Sequence, residues 1–82
     1  HKKDFLNGYF YVQYLVTSQA DKAEKLGKQL ADKYHVEHVA IKEKANYRLR
    51  LGPLSSDKEA QQLLSKLKKE YNSAFIVHQK KR

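Results

Sequence analysis

Tyr47-Arg48-Leu49-Arg50-Leu51-Gly52-Pro53 is the stretch on which the fold turns. Its first five residues alternate between apolar and cationic side chains, the period of a strand with one face buried and the other wet. Gly52-Pro53 predicts the end of that strand, because proline has no N–H for a ladder and glycine accepts turn angles. Ser56 and Glu59 follow at capping-box spacing, in which a serine oxygen satisfies a free N–H of a starting helix. Ala60, Leu63, Leu64, Leu67 and Tyr71 then recur at helical spacing and form one apolar stripe. Ala74-Phe75-Ile76-Val77-His78 reads as a closing strand.

The same pattern precedes this segment at a shift of 37 residues. Phe10, Val12 and Tyr14 align with Tyr47, Leu49 and Leu51, and Tyr11 and Gln13 align with Arg48 and Arg50. The shift also pairs Ser18 with Ser55, Ala23 with Ala60, Leu26 with Leu63, Leu30 with Leu67 and Tyr34 with Tyr71. A first strand is therefore expected over Tyr9–Val16, and a helix capped by Ser18 with Asp21 three residues on. A second strand follows over Val36–Lys42, and Glu43-Lys44-Ala45-Asn46 is a polar turn. Two βαβ halves imply an α+β, ferredoxin-like (RNP-like) βαββαβ fold. Its four-stranded antiparallel sheet carries both helices on one face, because right-handed crossovers place them together.

Eighty-two residues hold one domain, since a typical one takes roughly 100–150. The expected layout is a flexible N-terminal tail over 1–8, the domain over 9–79 and a basic C-terminal tail over 80–82. Without cysteine there is no disulfide framework and no thiolate chemistry. No apolar run approaches the roughly 20 residues of a membrane span, so direct membrane insertion is not expected. The net charge of +8 first suggests a polyanion such as nucleic acid. Residues 5–79, however, hold twelve basic and eight acidic groups, a net +4, so half of the excess belongs to the ends.

Alternation places Tyr11, Gln13, Arg48 and Arg50 opposite the helices, on the central pair of strands. The same counting in the last strand puts Ile76, with Ala74 and His78, on that open side. Such a face is often only solvated, but the choice of cation is selective: Arg48 and Arg50 are the arginines that lie away from the C-terminus, and lysine serves elsewhere. Guanidinium binds carboxylates through paired N–H groups and stacks on flat surfaces, and a neighbouring glutamine both donates and accepts.

Other constellations carry less. His35 and His38, three apart near a strand, do not share a face and lack further ligands, so no metal site is expected. Ser55-Ser56-Asp57 is accounted for by helix capping. No carboxylate pair suggests hydrolysis, and three glycines make no phosphate-cradling loop. No catalytic residue and no cofactor is expected, so the chain reads as a binding module and not an enzyme.

Tyr11-Val12-Gln13, Ala23-Glu24-Lys25-Leu26, Tyr47 through Ser56 and Glu59-Ala60 through Leu67 together resemble the sporulation-related repeat, or SPOR, domain. The resemblance covers Tyr9 to Gln79 and implies a βαββαβ module that binds peptidoglycan glycan strands, preferably those stripped of stem peptides, which collect at division septa. It implies a periplasmic or otherwise extracytoplasmic, septal location, and a monomeric module belonging to a longer exported envelope protein. By position it further implies glycan-binding roles for Gln13, Arg48 and Ile76, with Asn46 where some members carry tryptophan and Val16 where many carry serine. Arg50 and Tyr11 join them from the strand pattern. Leu15-Val16-Thr17 departs from the family's Gly-Ser-Phe, and Lys33-Tyr34-His35 from the glycine common after the first helix.

Two rival readings use the same face. RNA-recognition domains share the fold, but their signature needs aromatic residues on the third strand, where this chain offers Asn46, Arg48 and Arg50. Nucleic acid is therefore not the expected partner. A protein-docking module is the other alternative.

Overall fold

The structure, a computed structural model, describes residues 8–79. The tails expected over 1–8 and 80–82 lie outside these residues, Gly8 excepted. In chain order the elements are β1 (Tyr9–Thr17), α1 (Ala20–Tyr34), β2 (His38–Glu43), β3 (Asn46–Leu54), α2 (Asp57–Leu67) and β4 (Phe75–Gln79). β3, α2 and β4 each begin 37 residues after β1, α1 and β2, so the repeat of side chains is also a repeat of the backbone. The strands form one antiparallel sheet in the order β2-β3-β1-β4. α1 packs on β2 and β3, and α2 on β1 and β4.

The core lies between sheet and helices. Val12 and Tyr14 from β1 and Leu49 and Leu51 from β3 meet Ala23 and Leu30 of α1 and Ala60, Leu63 and Leu67 of α2. These are the residues of the two helical stripes and of the inward strand positions. Gly27 lets α1 descend onto the sheet: a Cβ there would come within 2.5 Å of His38 Nδ1. That close approach is a packing role for His38, which helps to fix the helix over β2.

Capping differs between the halves. Ser56 caps α2 as expected, its hydroxyl accepting the Glu59 N–H at 3.2 Å, while the Glu59 carboxylate accepts from Ser55 Oγ at 2.6 Å. Ser18 does not cap α1. Gln19 is the N-cap, without a side-chain bond, and its own N–H donates to Thr17 Oγ1 at 3.2 Å. The C-terminal end of α1 is closed by His35 in the left-handed region (φ 57°), its N–H bonded to the carbonyl of Ala31.

β3 also runs past its expected end. Gly52-Pro53, joined by a cis peptide bond, lies inside the strand, which continues to Leu54. Phe10 pairs with Leu54 and Val12 with Leu51, so β3 carries one more residue than β1 across this step. Such a bulge needs no ladder N–H from proline, and that is how the strand tolerates it. Gly52, at φ 139°, sits where a Cβ would lie 2.8 Å from the carbonyl oxygen of Phe10.

Candidate functional site

Register decides which side chains reach the open face, because residues directly opposite one another across a ladder share a side. Gln13 pairs with Arg50 and Phe75; Tyr11 pairs with Val77. Across the hairpin Val39 pairs with Arg50, Ile41 with Arg48 and Glu43 with Asn46. Tyr11, Gln13, Arg48, Arg50 and Asn46 therefore share the face away from the helices, as the strand alternation requires.

Val16 reaches this face by a different route. Counting by twos from Val12 would turn it inward, but Gln13 pairs with Arg50 and Leu15 with Leu49, so β1 bulges at Tyr14. The extra residue reverses the alternation: Leu15 joins Tyr14 against the core, and Val16 emerges opposite Arg48, 49% exposed.

Ile76 is corrected. It pairs with Val12, the most deeply buried residue of β1, and packs against the core under the helices. His78 likewise faces inward and stacks on Phe10, with ring centroids 4.1 Å apart, and Ala74 is buried. The outward residues of β4 are Phe75, Val77 and Gln79, opposite Gln13, Tyr11 and Tyr9. A one-residue difference in register is the reason. β4 begins 37 residues after β2, yet His38 opposes Leu51 while Phe75 opposes Gln13 instead of Tyr14. One step along a strand moves every side chain to the other face.

The centre of the open face is a bonded pair. Arg50 Nε donates to Gln13 Oε1 at 2.9 Å. Gln13 is only 8% exposed, so it is held in place, and Arg50 is held with it. Because Nε makes this bond, the terminal Nη fork of Arg50 remains for a carboxylate. Burial, followed by the neighbouring charge of Arg48, lowers the Arg50 pKa below the usual guanidinium value. Both causes make an added anion favourable there. Arg48 is already paired with Glu43 of β2.

Apolar side chains ring this centre. Tyr9, Val16, Ile41 and Phe75 are the exposed large hydrophobic residues among those described, and all four lie on this one face. Beside the arginines, at the bulge of β1, Gln13, Tyr14, Leu15, Val16, Ser73 and Phe75 line an open recess of about 260 Å³. It lies where pairing of β1 with β4 stops at Gln13 and Phe75. A larger recess of about 610 Å³, lined by Asp32, His35, Glu37 and Glu59, lies at the end of α1 and the start of α2, and its acidic character contrasts with the sheet.

Sequence reading missed Tyr9, Phe75, Ile41 and Glu43. The signal for the last two was present: a two-residue turn at Lys44-Ala45 fixes Ile41 opposite Arg48 and Glu43 opposite Asn46. Phe75 carried no comparable signal, since its face depends on a register that no turn sets.

The SPOR domain family model matches residues 6–78. Two solved structures share the fold. The peptidoglycan-binding domain of the B. subtilis cell wall lytic enzyme CwlC is 19% identical, with TM-score 0.67 over 88% of this chain and 91% of that one. The RlpA SPOR domain from Pseudomonas aeruginosa is 21% identical, with TM-score 0.64 over 85% of this chain and 99% of that one. No curated protein matches.

Proposed function

The chain belongs to the SPOR domain family, and from that premise we propose that it is a peptidoglycan-binding module, not a catalyst, whose open sheet face receives the glycan strand. The observation that carries the reading is the Gln13–Arg50 pair with Arg48 beside it, ringed by the exposed apolar residues Tyr9, Val16, Ile41 and Phe75. A glycan strand without stem peptides offers matching chemistry: a lactyl carboxylate on each muramic acid, N-acetyl groups, and sugar rings with apolar faces.

Arg50 and Arg48 bind the carboxylate. Gln13 orients Arg50 and keeps its amide NH2 for a sugar hydroxyl or acetamido carbonyl. Tyr11 and Phe75 pack on a ring face, Val16 walls the recess, and Asn46 offers a hydrogen bond at the hairpin end. Phe75 thus takes the apolar role that the sequence alone gave to Ile76. Stem peptides would crowd this face by capping the lactyl carboxylate as an amide, so stripped strands bind better. In the cell the module would sit outside the cytoplasm, directing a larger envelope protein to septal wall where such strands collect.

Pull-down on purified sacculi, with and without prior amidase removal of stem peptides, tests the reading. Stripped sacculi should retain more protein. Charge-assisted hydrogen bonds are worth roughly 1.5–3 kcal/mol, so Arg48→Ala should weaken retention about tenfold or more. Equal retention on both preparations would end the claim of a preference for stripped strands. Tighter low-salt binding to single-stranded RNA than to sacculi would replace the reading altogether.

A further inference from the structure

We propose that Glu43 is a resident competitor for the ligand carboxylate: it occupies Arg48 in the free protein and must yield before Arg48 engages the glycan. The inference rests on the peptidoglycan reading above and names a residue that sets specificity within it.

The hairpin places Glu43 for this role. Ile41 lies directly opposite Arg48, and Glu43 is two residues further along the same side of β2, the diagonal position that long side chains can span. The carboxylate reaches back and pairs with the Arg48 guanidinium. Among residues paired in the ladders, Glu43, Arg48 and Arg50 are the charged groups on the open face. One acid thus answers two arginines. Arg48 is satisfied internally, whereas Arg50 is tied to the neutral Gln13 amide and keeps its terminal fork for an anion.

Strength and exposure make the contact exchangeable. The Arg48 and Glu43 side chains are 43% and 56% exposed, and an exposed ion pair is among the weakest interactions a folded chain makes. A ligand carboxylate already anchored by neighbouring contacts can displace it. An uncharged sugar cannot, because it offers guanidinium no anionic replacement for Glu43. Glu43 therefore lowers the affinity of the face for carboxylate-bearing glycan while leaving uncharged sugars unaffected, and so tempers the preference between them.

Calorimetric titration of the 82-residue chain tests this with two ligands: peptide-free glycan fragments containing muramic acid, and chitooligosaccharides, which have the same N-acetylated backbone without the lactyl carboxylate. Wild type, Glu43→Gln, Arg48→Ala and the double variant are compared, each checked for an unchanged thermal melt. Glu43→Gln should tighten binding of the muramic fragments about two- to fivefold, the amount by which an exposed pair competes. It should leave the chitooligosaccharides unchanged and have no effect once Arg48 is alanine. Weaker binding by Glu43→Gln, an equal gain on both ligands, a gain that persists without Arg48, or no change would each overturn the proposal. Wild type that binds neither ligand would overturn the peptidoglycan reading and this proposal with it, whereas wild type that binds with Glu43→Gln unchanged overturns this proposal alone.

Discussion

On the helix-covered face the central strands present Val12, Leu49 and Leu51, none more than 1% exposed, while the neighbouring positions on the open face present Gln13, Arg48 and Arg50. The same strands obey two rules. Beneath the helices, volume and dryness decide which residue fits. On the open side, charge and hydrogen bonding decide, and apolar residues remain exposed around them. Changes on one face should therefore move stability with little effect on ligand binding, and changes on the other should do the reverse.

The largest expected effect tests the packed face. Leu51 is fully buried, so Leu51→Ala should lower unfolding free energy by about 2–5 kcal/mol. Urea denaturation measures it, and a loss below about 1 kcal/mol would deny the core its assigned place. Tyr14 gives the next largest. Burial first, then the adjacent Tyr71, raises its phenol pKa to about 12, and its hydroxyl has no hydrogen-bond partner among the described residues. A raised pKa means that the folded state favours the neutral phenol. Its stabilisation is complete below the ordinary value near 10 and is lost as pH climbs through about 12. At about 1.4 kcal/mol per unit the loss approaches about 2–3 kcal/mol. Tyr14→Phe should remove this alkaline loss without destabilising the protein at neutral pH; an unchanged alkaline profile in that variant would refute the assignment.

Phe75 and Ile76 sharpen the comparison because they are neighbours on opposite faces. Ile76→Ala should cost about 1–2 kcal/mol, less than a fully buried aliphatic residue, and leave glycan affinity alone. Phe75→Ala should stay within about 0.5 kcal/mol in stability and weaken glycan binding. Reversed outcomes would restore the face that strand alternation first suggested. The smallest effect lies away from both faces: His35 occupies left-handed space at the end of α1, so His35→Gly should stabilise by about 0.5–1 kcal/mol in a thermal melt.

Much of the architecture was legible because the halves repeat. The alternation in Tyr47–Leu51 and its counterpart in β1 set both faces of the central pair, and Gln13 and Arg50, equivalent positions 37 residues apart, meet across the centre of that repeat. What escaped reading were departures from the repeat. The bulge at Tyr14 and the continuation of β3 through Gly52-Pro53 each add a residue that no local pattern announces. The offset of β4 against β1 is a long-range registration, and it turned Ile76 inward and Phe75 outward. At the start of α1, Ser18 had the right chemistry for a cap, yet the helix begins one residue too late for it to be used.

The central claim is that the arginine centre of the open face holds the glycan. Its most direct test is retention of the chain on peptide-stripped sacculi, comparing wild type with an Arg48→Ala/Arg50→Ala variant of matched thermal stability. Loss of the two guanidinium groups should reduce binding at least about tenfold. Undiminished retention by the folded double variant would contradict the account.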